Sequence, residues 1–164
     1  MKTLFGKCCV ILFLVVGTVG CDGVTKHIAA ENLAGLPTQS FFADTIRLSY
    51  AENTGGFLEF GAALPEWART TLFTVATGAF LLLLVAVAWR NGWQQWQTVA
   101  LSLFIAGGFS NWVDRLGDGR VVDFLNVGIG GIRTGVFNVA DVAIMAGVAL
   151  FLFAEFRASR SNGA

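Results

Sequence analysis

Four long apolar stretches divide the chain, and polar residues collect where these stretches end. The stretches cover about residues 5–22, 70–89, 96–113 and 136–156. The second has twenty residues without a charge, the length that crosses about 30 Å of hydrocarbon. Because lipid cannot satisfy exposed backbone groups, each stretch is predicted to be helical. The pattern predicts an α-helical integral membrane protein with four transmembrane helices in a single domain, residues 1–164.

The longest segment between two predicted helices has the composition of a small β-structure. Residues 46–50 and 57–60 show partial apolar alternation. The sequence Asn53-Thr54-Gly55-Gly56 between them is typical of a turn. We predict a β-region over about residues 38–62 at one membrane surface, with apolar side chains toward the membrane or a lipid substrate. An ordinary amphipathic hairpin without a ligand explains the same composition equally well.

A glycine-rich segment, residues 114–136, separates the last two apolar stretches. It contains six glycines, which favour mobility or close approach of backbones. It also contains Asp123, within the apolar sequence Val121-Val122-Asp123-Phe124. We predict an extracytoplasmic loop here, either a flap over a site or a flexible connector.

The composition is that of a membrane protein and not of a soluble domain. Hydrophobic residues make up 55% of the chain and charged residues only 13%, against about 25% charged in soluble proteins. The formal net charge is zero, so no basic field favours nucleic acid as a partner. The three cysteines lack metal-binding spacing, and the single histidine, His27, excludes chemistry that needs two. No metal or cofactor is predicted.

The charges give the predicted helices an orientation. With the N-terminus inside, the inner segments carry five basic residues and one acidic residue, and the outer segments carry six basic and ten acidic residues. Short basic segments on the inner side satisfy the positive-inside rule. This topology brings the polar groups at the helix ends together at the outer membrane face.

Polar residues at helical spacing mark the ends of three predicted helices. Asp22 and Lys26 are four residues apart, so they can pair on one helix face. Each group also has an ordinary explanation as a helix cap, an ion pair at a helix end or a snorkelling lysine. The two other groups are Asn111 with Asp114 and Arg115, and Asn138 with Asp141.

Asp123 and Asp141 are the candidate chemical pair. An ionised carboxylate in hydrocarbon costs roughly 2.5–3.5 kcal/mol, so such groups are rarely retained without a use. Two carboxylates close together in a low dielectric hold one proton between them, which is the logic of aspartic proteases. A rival interpretation is a small proton-linked membrane transporter using intramembrane acids. A third, a lipoprotein anchored through Cys21, lacks the soluble domain it would need.

Several motifs, taken in chain order, resemble those of the lipoprotein signal peptidases (signal peptidase II). Any one is weak, but together they span the chain from the first apolar stretch to the last. They are Asp22-Gly-Val-Thr-Lys26, Asn53-Thr-Gly-Gly56, Gly107-Gly-Phe-Ser-Asn111-Trp-Val-Asp114-Arg115, Val121-Val-Asp123-Phe124 and Phe137-Asn138-Val-Ala-Asp141.

The resemblance implies a monomeric aspartic endopeptidase of the bacterial cytoplasmic (inner) membrane, with a periplasmic β-cradle and cytoplasmic termini. Its substrates would be diacylglyceryl-modified prolipoproteins within membrane lipids, cut on the N-terminal side of the lipidated cysteine. Asp123 and Asp141 match the family's catalytic pair, and Asp114 is expected to brace Arg115. The matching supporting and substrate-binding residues are Asn53, Gly55, Asn111, Arg115, Asn138, Asp22 and Lys26.

Two positions depart from the family pattern. Residues 57–59 are bulky where the family has small residues, and Ser110 stands where the family usually has glycine. Both departures bear on contacts to substrate and leave the aspartate pair unchanged.

Overall fold

The computed structural model describes residues 4–56, 61, 63–90 and 95–162. The fold is mostly helical and carries a small antiparallel sheet at one end. The helices are α1 (Leu4–Leu33), α2 (Glu66–Arg69), α3 (Thr77–Arg90), α4 (Gln95–Asp118) and α5 (Val139–Asn162), with a π-helix (Thr70–Ala76) joining α2 to α3. The strands are β1 (Gln39–Phe41), β2 (Ile46–Asn53), β3 (Val121–Ile129) and β4 (Ile132–Arg133). The strand-like residues 57–60 lie outside the described residues.

Helix α1 continues well past the apolar stretch that predicts it. Asp22 and Lys26 lie inside the helix, and their side chains form an ion pair of 2.5 Å. Both side chains are buried, because they turn inward toward α4 and not toward lipid. The last turns of α1 carry Ala29 and Leu33, which form a buried cluster with Phe124 of β3. The extension therefore serves as the base on which the sheet rests.

Helix α4 lies at the centre of the helical bundle, in contact with α1, α3 and α5. The residues it buries are small or polar, among them Ala106, Gly107 and Ser110. A Cβ on Gly147 of α5 would come within 2.6 Å of the Ala100 carbonyl oxygen, so glycine permits close packing of α4 on α5.

Three helical segments in the described part of the chain are long and apolar enough to cross a membrane. They are Gly6–Leu33, Glu66–Ala88 and Val139–Arg160. Large apolar side chains on them, such as Phe13, Leu82 and Phe153, are more than half exposed, as lipid-facing residues are. Helix α4 is not among the three, since it is less apolar along its length and includes Gln97, Asn111, Asp114 and Arg115.

The π-helix lies where the segment Glu66–Ala88 passes beside α4. The Trp112 indole N–H of α4 donates a 2.8 Å hydrogen bond to the Thr74 carbonyl oxygen. Gly78 leaves room for that indole, because a Cβ there would lie 2.8 Å from Trp112 Nε1. The Thr74 carbonyl oxygen also accepts from the Thr77 N–H at the end of the π-helix, so it joins this segment to α4.

The described strands form one antiparallel arrangement in the order β1-β2-β3-β4. Strand β3 pairs with β2 so that Asp123 stands opposite Ala51, and the register shifts between Leu48 and Ala51. The sequence places Asp123 in a glycine-rich loop, and the structure corrects this: residues 121–129 are a strand. The flanking glycines form turns, with Gly119 and Gly130 at positive φ of 68° and 57°.

Candidate active site

Asp141 is held by the start of α5. Asn138 is the N-cap, and its Oδ1 accepts a 3.0 Å hydrogen bond from the Asp141 backbone N–H. In return, the Asn138 N–H donates to Asp141 Oδ2 at 3.2 Å. This reciprocal arrangement is a capping box with aspartate in the third helical position. The capping explanation that the sequence allows is therefore correct, and it fixes the direction of the Asp141 carboxylate.

Asp123 reaches the same place from β3 and is 2% exposed. Its Oδ1 accepts a 2.6 Å hydrogen bond from Asn138 Nδ2, and its Oδ2 accepts a 2.9 Å bond from Asn53 Nδ2. Asn138 therefore contacts both aspartates. The strand β3 and the start of α5 thus place two carboxylates beside a shared asparagine.

Three asparagines present their NH₂ groups to the two aspartates, and each has its carbonyl oxygen held from the other side. Asn53 Oδ1 accepts from the Gly55 N–H at 2.9 Å. Asn138 Oδ1 accepts from the Asp141 N–H, as above. Asn111 Oδ1 accepts from Lys26 Nζ at 2.7 Å, and Asn111 Nδ2 donates to Asp141 Oδ1 at 3.0 Å. The orientation of each amide is therefore set by its own hydrogen bonds.

The pKa of Asp123 is raised to about 6, mainly by burial and in part by the nearby charge of Asp141. The amides of Asn53 and Asn138 and the charge of Lys26 act in the opposite direction. The folded protein therefore binds this proton more tightly than the unfolded chain does. Asp123 favours the folded state below its ordinary pKa, and this contribution is lost as the pH rises through about 6.

A buried charge cluster lies directly behind Asn111. Lys26 Nζ contacts Asp22 Oδ2 at 2.5 Å and Asp114 Oδ2 at 2.6 Å. Asp22 is fully buried and also accepts from Ser110 Oγ at 2.7 Å and from the Ala140 N–H at 2.8 Å. Asp22 of α1 thereby caps the first turn of α5, one residue before Asp141.

The cluster changes the interpretation of two residues. Ser110, which departs from the family pattern, contacts Asp22 and is buried within the bundle. Asp114 contacts Lys26 and not the Arg115 guanidinium that it is expected to brace. Neither role follows from the motifs alone. The available signal is the spacing, because Ser110 and Asp114 are four residues apart on one face of α4.

Arg115 supports the turn that follows β2. Its Nε and Nη2 donate to the Gly55 carbonyl oxygen at 3.1 and 2.5 Å, and its Nη1 donates to the Asn111 carbonyl oxygen at 3.2 Å. A polar cleft of about 190 Å³ lies beside it, lined also by Arg69 and Arg120. Arg115 thus joins the end of α4 to the turn that carries Asn53 and Gly55.

The arrangement has the elements of acid–base chemistry. Two carboxylates share one neighbour, and neutral amides hold them without supplying a counter-charge. Every buried side-chain nitrogen and oxygen in the described part of the chain has a hydrogen-bond partner. Within that same part, no three acidic, histidine or cysteine side chains are grouped so that they could hold a metal ion.

Comparisons with known proteins find relatives that match most of the chain. The lipoprotein signal peptidase of Escherichia coli (strain K12) is 33% identical over 151 residues, covering 92% of each chain. That of Citrobacter koseri is 33% identical over 145 residues, 88% of this chain and 89% of the relative. A bacterial membrane enzyme solved by the in meso method at 2.3 Å has a TM-score of 0.75 and 26% identity, covering 95% of this chain and 90% of its own.

The family profile described as signal peptidase (SPase) II matches residues 14–157. The match includes Asp22 and Lys26 on α1, both aspartates of the pair and all three asparagines that hold them. Together with the relatives, it confirms the resemblance carried by the motifs: the chain belongs to the signal peptidase II family of peptidases.

Proposed function

We propose that this protein is an aspartic-type endopeptidase that removes signal peptides from diacylglyceryl-modified prolipoproteins. In this proposal Asp123 and Asp141 form the catalytic pair, and the cut lies on the N-terminal side of the lipidated cysteine. The observation that carries the proposal is the pair of buried carboxylates sharing Asn138. The curated relatives carry the name lipoprotein signal peptidase, which supports the substrate class.

The pair would work with one proton. The ionised aspartate takes a proton from a water molecule as the water oxygen bonds to the scissile carbonyl carbon. The protonated aspartate gives its proton to the carbonyl oxygen, forming a tetrahedral diol. The C–N bond then breaks as the leaving nitrogen takes a proton from one aspartate and a diol hydroxyl gives its proton to the other, which leaves the carboxylic acid and restores the singly protonated pair. The products are the carboxyl end of the signal peptide and the free amine of the lipidated cysteine.

The supporting residues would act on this pair or on the substrate backbone. Asn53, Asn111 and Asn138 direct N–H groups at the carboxylates, which stabilises the ionised member. Arg115 and Gly55 form the wall of the site next to β2. Asp22 accepts from the Ala140 N–H at the start of α5, the helix that carries Asp141. Lys26 donates to Asn111 on α4.

The proposed topology has four spans, with α4 as the fourth. Helix α4 is surrounded by the three more apolar helices, so its polar face is satisfied by protein and not by lipid. The active site would lie at the periplasmic face of a bacterial cytoplasmic membrane, with both termini cytoplasmic. The inner segments are the basic ones in this orientation, which the positive-inside rule favours.

The transporter alternative requires ionisable groups spread along a path through the bilayer. Instead, buried or half-buried acids join one hydrogen-bonded cluster, which contains Asp22, Asp114, Asp123 and Asp141. We therefore favour the peptidase.

The test uses the detergent-solubilised protein and a precursor that already carries its diacylglyceryl group. The wild type should cut it at the lipidated cysteine, and Asp123→Asn and Asp141→Asn should each lose at least about 10³-fold in kcat. Asp44→Asn is the matched control, because Asp44 is an aspartate on the exposed turn between β1 and β2. Wild-type cleavage by a correctly folded Asp123 or Asp141 variant would refute the pair.

A further inference from the structure

We propose that Lys26 is a positioning residue: it fixes the Asn111 amide so that its NH₂ group faces Asp141, and two buried anions hold Lys26 in place. The inference deepens the proposed peptidase function and rests on it. Lys26 does not touch the reacting atoms in this proposal and acts only through Asn111.

The ammonium of Lys26 has all three of its N–H donors engaged. They go to Asp22 Oδ2 at 2.5 Å, Asp114 Oδ2 at 2.6 Å and Asn111 Oδ1 at 2.7 Å. An ammonium has three donors and no acceptor, so this set is complete. Lys26 is only 6% exposed. Because all three of its hydrogen bonds are short and it is buried, the ammonium has a fixed position. The hydrogen bond to Asn111 Oδ1 then fixes the orientation of that amide.

Asn111 needs an outside donor, whereas the other two asparagines do not. Asn53 and Asn138 lie at a turn and at a helix start, where a free backbone N–H two or three residues later can hold the carbonyl oxygen. Asn111 lies inside α4, where backbone N–H groups are used by the helix itself. Its carbonyl oxygen is therefore held by side chains from other elements, most closely by Lys26 Nζ of α1 at 2.7 Å and also by Asn138 Nδ2 at 3.2 Å. If the amide turned over, its oxygen would face Asp141 and its NH₂ would face the ammonium, and both contacts would be repulsive.

The charge of Lys26 has a second effect on the pair. It lowers the pKa of Asp123, in opposition to burial. The groups facing Lys26 are Asp22 on its own helix and Asp114 on α4, with Asp141 on α5 and Asp123 on β3 beyond the asparagines. Replacing Lys26 by a neutral residue would thus raise the pKa of Asp123, and the proton of the pair would be lost only at higher pH.

Three substitutions separate the donor from the charge. Lys26→Arg keeps both, Lys26→Gln keeps an N–H donor one bond shorter without the charge, and Lys26→Met keeps neither. We expect kcat on the lipidated precursor to fall about 100-fold in Lys26→Met, less in Lys26→Gln and least in Lys26→Arg, with KM nearly unchanged. The alkaline limb of the pH–kcat profile should move to higher pH in Lys26→Gln and Lys26→Met and stay in place in Lys26→Arg.

Two control variants test for general damage. Ser102→Ala removes a buried hydroxyl on α4 that bonds only within its own helix, to the Thr98 carbonyl oxygen at 2.7 Å. His27→Gln changes the exposed residue next to Lys26 in sequence. His27 pairs with Glu31 and not with the buried cluster. Both should keep the wild-type rate and profile.

Lys26→Met leaves two anions without their cation, so it can fail to fold. The double variant Lys26→Met/Asp114→Asn removes one of them, and Asp22 keeps its bonds from Ser110 and Ala140. The same loss of kcat and the same movement of the limb in the folded double variant support the proposal. An unchanged kcat, or an equal loss in all three single variants with the limb unmoved, overturns it. Failure of the proposed aspartate pair gives a different result, because the Asp123→Asn variant would then still cleave the lipidated precursor.

Discussion

Two aspartates at opposite ends of the sheet show how the surroundings decide what a carboxylate can do. Asp44, on the turn between β1 and β2, pairs with Arg47 at 2.5 Å and accepts from Ser40 at 2.7 Å. These contacts, and above all the hydrogen bond from Arg47, hold the pKa of Asp44 well below its usual range. Asp123, near the other end of the sheet, also accepts two short hydrogen bonds, yet its pKa is raised to about 6. The number of hydrogen bonds therefore does not set the direction of the shift.

Burial and the charge of the donors account for the difference. The side chain of Asp44 is 41% exposed, and its donors include two arginines, Arg47 and Arg133. Asp123 is buried, and its donors are the neutral amides of Asn53 and Asn138. Neutral amides fix the geometry of a carboxylate but leave its charge uncompensated. A proton can then remain on the pair near neutral pH, which acid–base catalysis requires.

The strongest test of this comparison removes Asn138 beside Asp123 and, as a control, Asn126 at the Asp44 end of the sheet. Asn138→Ala takes an amide from Asp123 and the cap from α5, so kcat should fall by 100-fold or more, on the order of losing one key donor in other enzymes. The cap alone contributes about 1 kcal/mol to stability. Asn126→Ala removes a half-buried asparagine that bonds to Arg133, and it should leave kcat nearly unchanged. Equal losses in the two variants would contradict the comparison.

A smaller effect is expected in the pH profile of Asn53→Ala. The Asn53 amide lowers the pKa of Asp123, so its removal raises that pKa. The alkaline limb of the pH–kcat profile should therefore move to higher pH, with about a tenfold loss at the optimum. The measurement is kcat between about pH 5 and 9. If the limb moved to lower pH, water entering the space left by the Asn53 side chain would affect the pKa of Asp123 more than the loss of the amide does.

Ser110→Ala tests the cap that α1 gives to α5. It removes one donor from Asp22, and a hydrogen bond to a charged group contributes about 1.5–3 kcal/mol. We expect a lower unfolding temperature and a fall in kcat of several-fold, because Asp22 also holds the Ala140 N–H. Ser110→Thr should restore part of the loss, and Ser102→Ala serves as the matched control on the same helix. An unaltered unfolding temperature in Ser110→Ala would mean that the hydroxyl is dispensable.

The smallest effect on activity is expected at the far end of the sheet. Arg133 donates to Asn126 Oδ1 at 2.6 Å and to the Asp44 carbonyl oxygen at 2.6 Å. Lysine cannot reproduce this fork, so Arg133→Lys should cost about 1 kcal/mol of unfolding free energy. Cleavage of the lipidated precursor should stay within about twofold of wild type. A large loss of cleavage with normal stability would make this end of the sheet part of the substrate site.

The sequence identifies the polar residues of the site but not how they are held. Motif spacing singles out Asp123, Asp141 and the three asparagines, and the structure brings them together. The hydropathy of the chain ends the first span at residue 22, whereas α1 continues to Leu33. From hydropathy alone, Asp22 and Lys26 are expected to face water or lipid. In the structure both side chains form hydrogen bonds with residues of α4. Pairing between distant segments cannot be read from a hydropathy profile.

The placement of Asp123 fails for a related reason. Glycines around residues 117–131 indicate a loop, and local composition dominates that prediction. The segment is a strand instead, because Phe124 packs against Ala29 and Leu33 of α1 and because β3 pairs with β2. The Ser110 contact is also non-local, since Asp22 lies 88 residues earlier in the chain.

The polar character of α4 also bears on how the protein enters its membrane. On the proposed topology, α1 and the segment Glu66–Ala88 are apolar enough to partition into the bilayer by themselves. Helix α4 is less so, because Ser110 and Asn111 would meet lipid until their partners arrive. Ser110 and Asn111 gain theirs from α1, and Asn111 from α5 as well. Stable insertion of α4 and completion of the active site are therefore the same assembly step.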